Sequence, residues 1–167
     1  MQYKMRYASP LGEMLLACDG DGLTGAWFAG QKYFAAGLDE NARECEHEHL
    51  LSASRWLDIY FSGKVPDFLP KIHITASDFR TAVWEELLMI PYGETRTYGQ
   101  ISALAARRLG KGKMSAQAVG GAVGHNRISV IIPCHRVLAF DGSLTGYAGG
   151  LDKKLALLRL EGIKTLN

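Results

Sequence analysis

The chain is short of the features that would mark a secreted or membrane protein. Its 167 residues contain no run of about 18 apolar residues, the length a spanning helix needs. The opening stretch, MQYKMRYASP, lacks the apolar core of a secretory signal, so a cytoplasmic location is expected. Cysteine is scarce: Cys18, Cys45 and Cys134 are an odd set of three, too few for a disulfide framework, and are expected as free thiols. No internal repeat or low-complexity tract is visible. Net charge is also small, at +2, but unevenly spread. Residues 1–75 hold 7 basic and 10 acidic side chains and residues 76–167 hold 12 and 7, balances of −3 and +5. That asymmetry suggests two modules, 1–75 and 76–167, the second facing a polyanion, although such a surplus also fits an ordinary solvated surface.

What is present reads as an α+β chain. Residues 3–8 alternate Tyr3, Met5 and Tyr7 with Lys4 and Arg6, the period of a half-buried strand, and 12–18 and 23–28 read as two more strands. Ser9-Pro10-Leu11-Gly12 and Asp19-Gly20-Asp21-Gly22 are the turns of an antiparallel meander. Residues 44–62 read as a helix with Leu50, Ala53, Leu57 and Phe61 on one face, and Val65–Ile74 reads as a linker. Four further helices follow. One spans 78–90, capped by Ser77, with Phe79, Val83, Leu87 and Ile90 inward. One starts at Tyr98, after the capping-box pair Thr97 and Gln100. A short one, 116–123, is capped by Ser115. The last, 152–161, turns Leu151, Leu155 and Leu158 inward. Residues 128–132 are expected as a buried strand.

The helices at 98–108 and 116–123 resemble a helix-turn-helix with a long connection. In the second of them Ala116, Ala118, Gly120, Gly121 and Ala122 are all tiny. Small residues allow close approach, either to a neighbouring helix or to a DNA groove. Arg107, Arg108, Lys111 and Lys113 precede it and could meet phosphates.

The expected buried strand ends in Pro133, and Cys134 and His135 follow directly. A thiol attacks as the thiolate, and a neighbouring histidine titrates in the right range to take its proton. On a regular strand the two side chains would diverge, and Pro133 supplies a break that could bring them together. Cys18 and Cys45 have no such neighbour, and Cys18 reads as a small core residue.

The segment PCHRV at 133–137 resembles the active-site motif of the O6-alkylguanine-DNA alkyltransferases, also called methylated-DNA–protein-cysteine methyltransferases. AVGGAVGHN at 118–126 is similar to the family's recognition helix and asparagine turn. TYGQIS at 97–102 is similar to the segment with its tyrosine, and TGYAGGLDKK at 145–154 to its pocket loop. The matches run in order over about 79–162. The resemblance implies an N-terminal ribonuclease-H-like domain, a three-stranded antiparallel sheet plus helix, over 1–75. It implies a mainly helical, winged-helix-like domain over 76–167.

It also implies single-turnover repair. The alkyl group of O6-alkylguanine, and of O4-alkylthymine, would pass from DNA to Cys134 as an irreversible thioether. His135 would draw off the thiol proton through a water, oriented by Glu161. Asn126 would hold the turn, and Tyr98 would offer its hydroxyl to guanine N3. The carbonyls of Cys134 and Val137 would receive the guanine amine, the amide of Ala148 would reach O6, and Tyr147, Gly149 and Lys154 would line the pocket. Gln117, Ala118, Gly120, Gly121, Arg127 and Arg136 would meet the DNA. The sulfur is expected as an anion at the floor of a slot for an everted base. The implied partner is double-stranded DNA carrying the lesion, with no cofactor, metal, membrane or obligate protein partner, and a monomer is the simplest expectation.

Two positions depart from the family. Gln117 stands where it has the arginine that fills the gap of the flipped base, and Arg127 where it has a proline. In CEHEH, Cys45 and His49 could share a metal with His73, but a fourth ligand is not evident and a solvated helix start is preferred. Two other functions remain open to test. A non-reactive alkyltransferase-like lesion binder would typically lack the cysteine. A Cys-His thiol hydrolase would not require the tiny-residue helix.

Overall fold

The computed structural model describes residues 1–165 and divides into two compact units, 1–75 with 127–131, and 76–126 with 132–165. In the first, β1 (Tyr3–Ser9), β2 (Gly12–Cys18) and β3 (Leu23–Phe28) form the expected antiparallel meander. A two-residue strand, β4 (Arg43–Glu44), adds parallel to β1, giving the order β3-β2-β1-β4. The turns form for local reasons. Gly12 takes φ +121°, and the Asp19 carboxylate accepts from the Asp21 and Gly22 amides.

Helix α1 (Glu48–Phe61) packs on this sheet through Leu50, Ala53, Trp56, Leu57 and Tyr60. It starts later than its sequence pattern suggested. Arg43 and Glu44 are taken up by pairing with β1, and the His47 side chain caps the helix by accepting from the His49 amide. Phe61, expected inward, is half-buried. The 65–74 segment is no free linker. Leu23 N donates to Lys71 O at 2.7 Å and His73 N to Leu23 O at 2.8 Å, pinning it along β3.

The strand expected at 128–132 does not form. Ile128 makes an isolated bridge to Ala26, and the chain then turns, with Val130 at φ 72°. The segment's apolar residues are buried as expected. An apolar run records burial and leaves backbone shape open.

In the second unit, α2 (Asp78–Leu88), α3 (Tyr98–Arg108) and α4 (Ala116–Gly124) pack on one another. Ser77, Thr97 and Ser115 cap them, and Thr97 with Gln100 forms the full capping box. Their core is built from Val83, Trp84, Leu87, Ile101, Ala105, Val119 and Val123. The Trp84 indole donates to Ala122 O at 2.8 Å, locking α2 to α4. Strands β5 (Arg96–Thr97) and β6 (Val137–Leu138) pair in parallel, and α5 (Leu151–Leu160) closes the unit. On α5 the buried face is Lys154, Leu157 and Leu158, while Leu151, expected inward, is 46% exposed. The overall class is the α+β arrangement read from the sequence. No helix among the described residues is long and apolar enough to cross a membrane.

Candidate active site

Pro133 (φ −82°, ψ 62°) ends the turn that follows Ile128 and leads into one 3-10 turn, Cys134–Arg136. That turn replaces the strand alternation that would have separated neighbours, and Cys134, His135 and Arg136 are all buried. Asn126, just past α4, donates through Nδ2 to Ile132 O at 2.8 Å and to Cys134 Sγ at 3.2 Å. One side chain therefore ties the approach to the turn and the sulfur itself.

His135 Nε2 lies 2.6 Å from Glu161 Oε2. Arg136 grips the same carboxylate with Nε at 2.8 Å and Nη2 at 3.2 Å, and donates from Nη1 to Ile90 O at 2.7 Å. The Gly93 amide adds a bond to Oε1 at 2.9 Å, and Arg136 lies over the Tyr92 ring. Burial pushes Glu161 up, but the His135 hydrogen bond and charge, with Arg136 and Gly93, outweigh it and hold the carboxyl at about 2. Glu161 is thus an anion at neutral pH and can only accept. His135 must carry its proton on Nε2, which leaves the imidazole lone pair on Nδ1. Burial pushes His135 down; Glu161 pulls it up, and Arg136 and Lys154 add to the lowering. The ring is neutral at rest, a base rather than an acid.

Burial also pushes the Cys134 thiol up, against the Asn126 hydrogen bond and the Lys154 charge. This corrects the expectation of a waiting anion, because desolvation keeps the sulfur protonated at rest. Nor is it an open floor, being only 5% exposed. The expected carboxylate behind the ring is present.

Lys154 is fully buried and donates from Nζ to Val137 O at 2.7 Å, Thr145 O at 2.8 Å and Gly146 O at 3.3 Å. Burial lowers it to about 8, opposed by Cys134. It clamps β6 to the 145–149 loop. The Val137 carbonyl, expected to receive substrate, already takes this bond and keeps one lone pair for another. The β5–β6 pairing, Thr97 opposite Leu138, sets the register from which Tyr98 enters the site. Burial raises the Tyr98 phenol, a hydrogen bond to Thr145 opposes this, and ionisation of Cys134 would raise it further. Tyr147, Ala148 and Gly149 are half-buried in a turn closed by Gly150 N on Tyr147 O at 2.9 Å.

Arg136 leaves the expected DNA contacts, whereas Arg108 stays exposed. Arg136 is 7% exposed and spent on Glu161 and Ile90. Arg108 is paired with Glu85 and Glu86 on α2. Arg107, Lys111 and Lys113 are exposed. Arg127 belongs to the first unit and donates to Thr75 O at 3.4 Å. On α4, Val119, Ala122 and Val123 are buried, whereas Gln117, Ala118 and Gly121 are exposed and Gly120 is half-exposed. A Cβ added at Gly120 or Gly121 would meet nothing within 4 Å. Packing inside the protein does not require either glycine, so the choice between neighbouring helix and outside surface falls to the outside. Each glycine costs the helix about 1 kcal/mol relative to alanine.

The metal candidates Cys45 and His49 do not assemble. Among the described residues the grouping close enough to share an ion is Asp19, Asp21 and His73, and there Asp19 already accepts from two amides and His73.

Sequence reasoning missed how Lys154, Trp84, Tyr92 and Gly93 act. Lys154 had a signal: it falls three residues before Leu157 and four before Leu158, on the apolar stripe of α5. Gly93 and Tyr92 had none, since their roles depend on where Glu161 and Arg136 arrive.

Comparison with known proteins covers almost the whole chain. The 6-O-methylguanine DNA methyltransferase DNA-binding domain matches residues 78–163, and the ribonuclease-like domain of the same proteins matches 2–73. A methylated-DNA–protein-cysteine methyltransferase of Methanosarcina acetivorans is 44% identical over 161 residues, 96% of this chain and 98% of that protein. The crystal structure of Mycobacterium tuberculosis O6-methylguanine methyltransferase is 38% identical with a TM-score of 0.81, covering 100% of this chain and 97% of that one. A Mycobacterium tuberculosis OGT solved in complex with DNA is 39% identical, also at 0.81, covering 95% and 92%.

Proposed function

Because the chain belongs to the methylated-DNA–protein-cysteine methyltransferase family, we propose that Cys134 is the residue that takes the alkyl group. The protein repairs DNA by direct transfer of that group from O6-alkylguanine to one of its own cysteines.

The buried network supports a coupled mechanism. At rest the site holds a neutral thiol, a neutral imidazole and an ionised Glu161. Cys134 gives its proton, through a water, to the Nδ1 side of His135. Glu161 stabilises the imidazolium that results. The sulfur forms a bond to the alkyl carbon as the carbon–O6 bond breaks in line, and the electron pair stays with guanine. Tyr98 supplies a proton to the departing base at N3 and recovers one from the imidazolium. Lys154, clamping Val137 to Thr145 and Gly146, holds the wall formed by Tyr147, Ala148 and Gly149. Since the resting thiol is protonated, its activation accompanies occupation of the site, which protects it from unrelated electrophiles.

Residues 76–126 and 132–165 carry the DNA-binding and transfer work in this reading. The open face of α4 at Ala118, Gly120 and Gly121 approaches the minor groove, with Gln117 at its leading end and Arg107, Lys111 and Lys113 on phosphates. The observation that carries the reading is Cys134 bonded by Asn126 beside the His135–Glu161 pair at 2.6 Å.

Intact-mass measurement tests it. Incubation with a duplex containing O6-methylguanine is expected to add one methyl group per chain, and Cys134→Ser to abolish the gain while keeping DNA binding. Methylation persisting in that variant would refute Cys134 as acceptor. Steady turnover of a small ester would instead favour a hydrolase.

A further inference from the structure

The second unit carries a large apolar side chain that its fold does not use. Phe140 is 93% exposed, the most exposed large apolar residue among those described. It stands in the turn that follows β6, and that turn is closed without it. Ala139 N donates to Ser143 O at 3.1 Å and Gly142 N to Ala139 O at 2.9 Å. The Asp141 carboxylate accepts from the Ser143 amide at 3.0 Å and from its hydroxyl at 2.7 Å, and Gly142 takes φ 82°. An ordered turn thus presents the ring to solvent.

The feet of this turn belong to the candidate active site. Lys154 Nζ takes the Val137 carbonyl on one side and the Thr145 and Gly146 carbonyls on the other. Leu138 and Leu144 pack with Leu158 of α5 beneath it. Phe140 follows Cys134 by six residues, about 22 Å at full extension and less here, because 134–136 is a 3-10 turn. One helical turn of duplex is about 34 Å long. The ring therefore lies within one turn's length of any base delivered to Cys134.

The turn has no cation to offer a phosphate. Asp141 is an anion at neutral pH, since the two Ser143 hydrogen bonds hold its carboxyl below the usual range, and it repels phosphate. Base faces are the surface of DNA that suits an aromatic ring, and eversion of one nucleotide unstacks its neighbours. We propose that Phe140 packs its ring against nucleobase surface laid bare when the lesion is everted. This rests on the reading of Cys134 as the acceptor. The contact is apolar and separate from the α4 face, and apolar side chains are known to act in this way at kinked base steps.

The test measures binding of full-length protein, in a Cys134→Ser background that stops transfer, to a labelled duplex with O6-methylguanine and to the undamaged duplex. Phe140→Ala is expected to weaken lesion binding at least about fivefold, with a smaller effect on the undamaged duplex. Its salt dependence and melting temperature should not move, because neither a phosphate contact nor packing is lost. Phe140→Trp should retain affinity. The three native tryptophans are 1%, 7% and 4% exposed, so the added indole reports from the surface, and lesion duplex should quench its emission and shield it from acrylamide. Unchanged affinity in Phe140→Ala, equal loss on both duplexes, a lowered melting temperature or an indole indifferent to duplex would each overturn the contact. Intact mass of the wild-type chain separates the two readings. Methylation with unchanged affinity in Phe140→Ala refutes the contact alone, and no methylation refutes both.

Discussion

Two parts of the second unit achieve function by opposite means. Around Cys134 the polar groups are densely tied. Asn126, His135, Arg136, Lys154 and Glu161 are all buried, and each has a defined partner. On the outer face of α4 the design is emptiness, with two glycines whose missing side chains would touch nothing. The first region is costly to alter because removing one member strands another. The second is cheap to alter for folding and, on the proposed reading, expensive for DNA contact. Stability and function should therefore move together in the buried network and apart on α4.

The largest expected effect tests the first half of that contrast. Glu161→Gln leaves Arg136 buried without its counter-charge and His135 without its anchor, and should cost about 3–5 kcal/mol in urea unfolding. The single-turnover transfer rate should also fall, by roughly a hundredfold or more. Unchanged stability would break the picture of an interlocked network.

Acid sensitivity sharpens it. Glu161 sits at about 2 in the fold against an ordinary 4.5. A depressed carboxylate contributes stability above its unfolded value and loses it as pH falls through the folded one. The contribution, on the order of 3 kcal/mol, is thus complete above about pH 4.5 and lost toward about pH 2. Glu161→Gln should flatten the stability–pH curve over that window, and an unaltered slope would assign the acid loss elsewhere.

Gly121→Ala probes the second region. The added methyl meets no atom of the protein, so the helix should gain about 0.5–1 kcal/mol in thermal or urea melts. Affinity for duplex DNA should nevertheless drop about tenfold. Gains in both would mean that α4 does not face the groove closely.

Gln117→Arg is the smallest change. It should tighten DNA binding severalfold and steepen the salt dependence by about one unit of slope, with melting unchanged. Equal or weaker binding would remove this end of α4 from the interface.

How much of this was legible in the sequence varies with the range of the interaction. Ser77, Thr97 with Gln100, and Ser115 cap their helices as their spacing implied, because capping is settled within four residues. The β1–β3 meander followed from alternation and its turns. The start of α1 did not, because Arg43 and Glu44 are claimed by a strand forty residues earlier in the chain, at Tyr3 and Lys4. The expected strand at 128–132 failed because its apolar residues respond to burial, which a turn supplies as well. Arg108 reads as a phosphate contact from its charge cluster and Arg136 as a DNA contact from the resemblance; Glu161 claims the buried Arg136, while the exposed Arg108 is paired with Glu85 and Glu86.

The sequence alone determined the nucleophile candidate, the helix ends, the small-residue face and the resemblance, since each lies within a short stretch of chain. The protonation states and the Lys154 clamp were decided only by the tertiary structure. So was the fact that the glycines of α4 face outward. A pKa depends on desolvation and on neighbours brought from far along the chain, and whether a missing side chain leaves a gap or a surface depends on what folds opposite it.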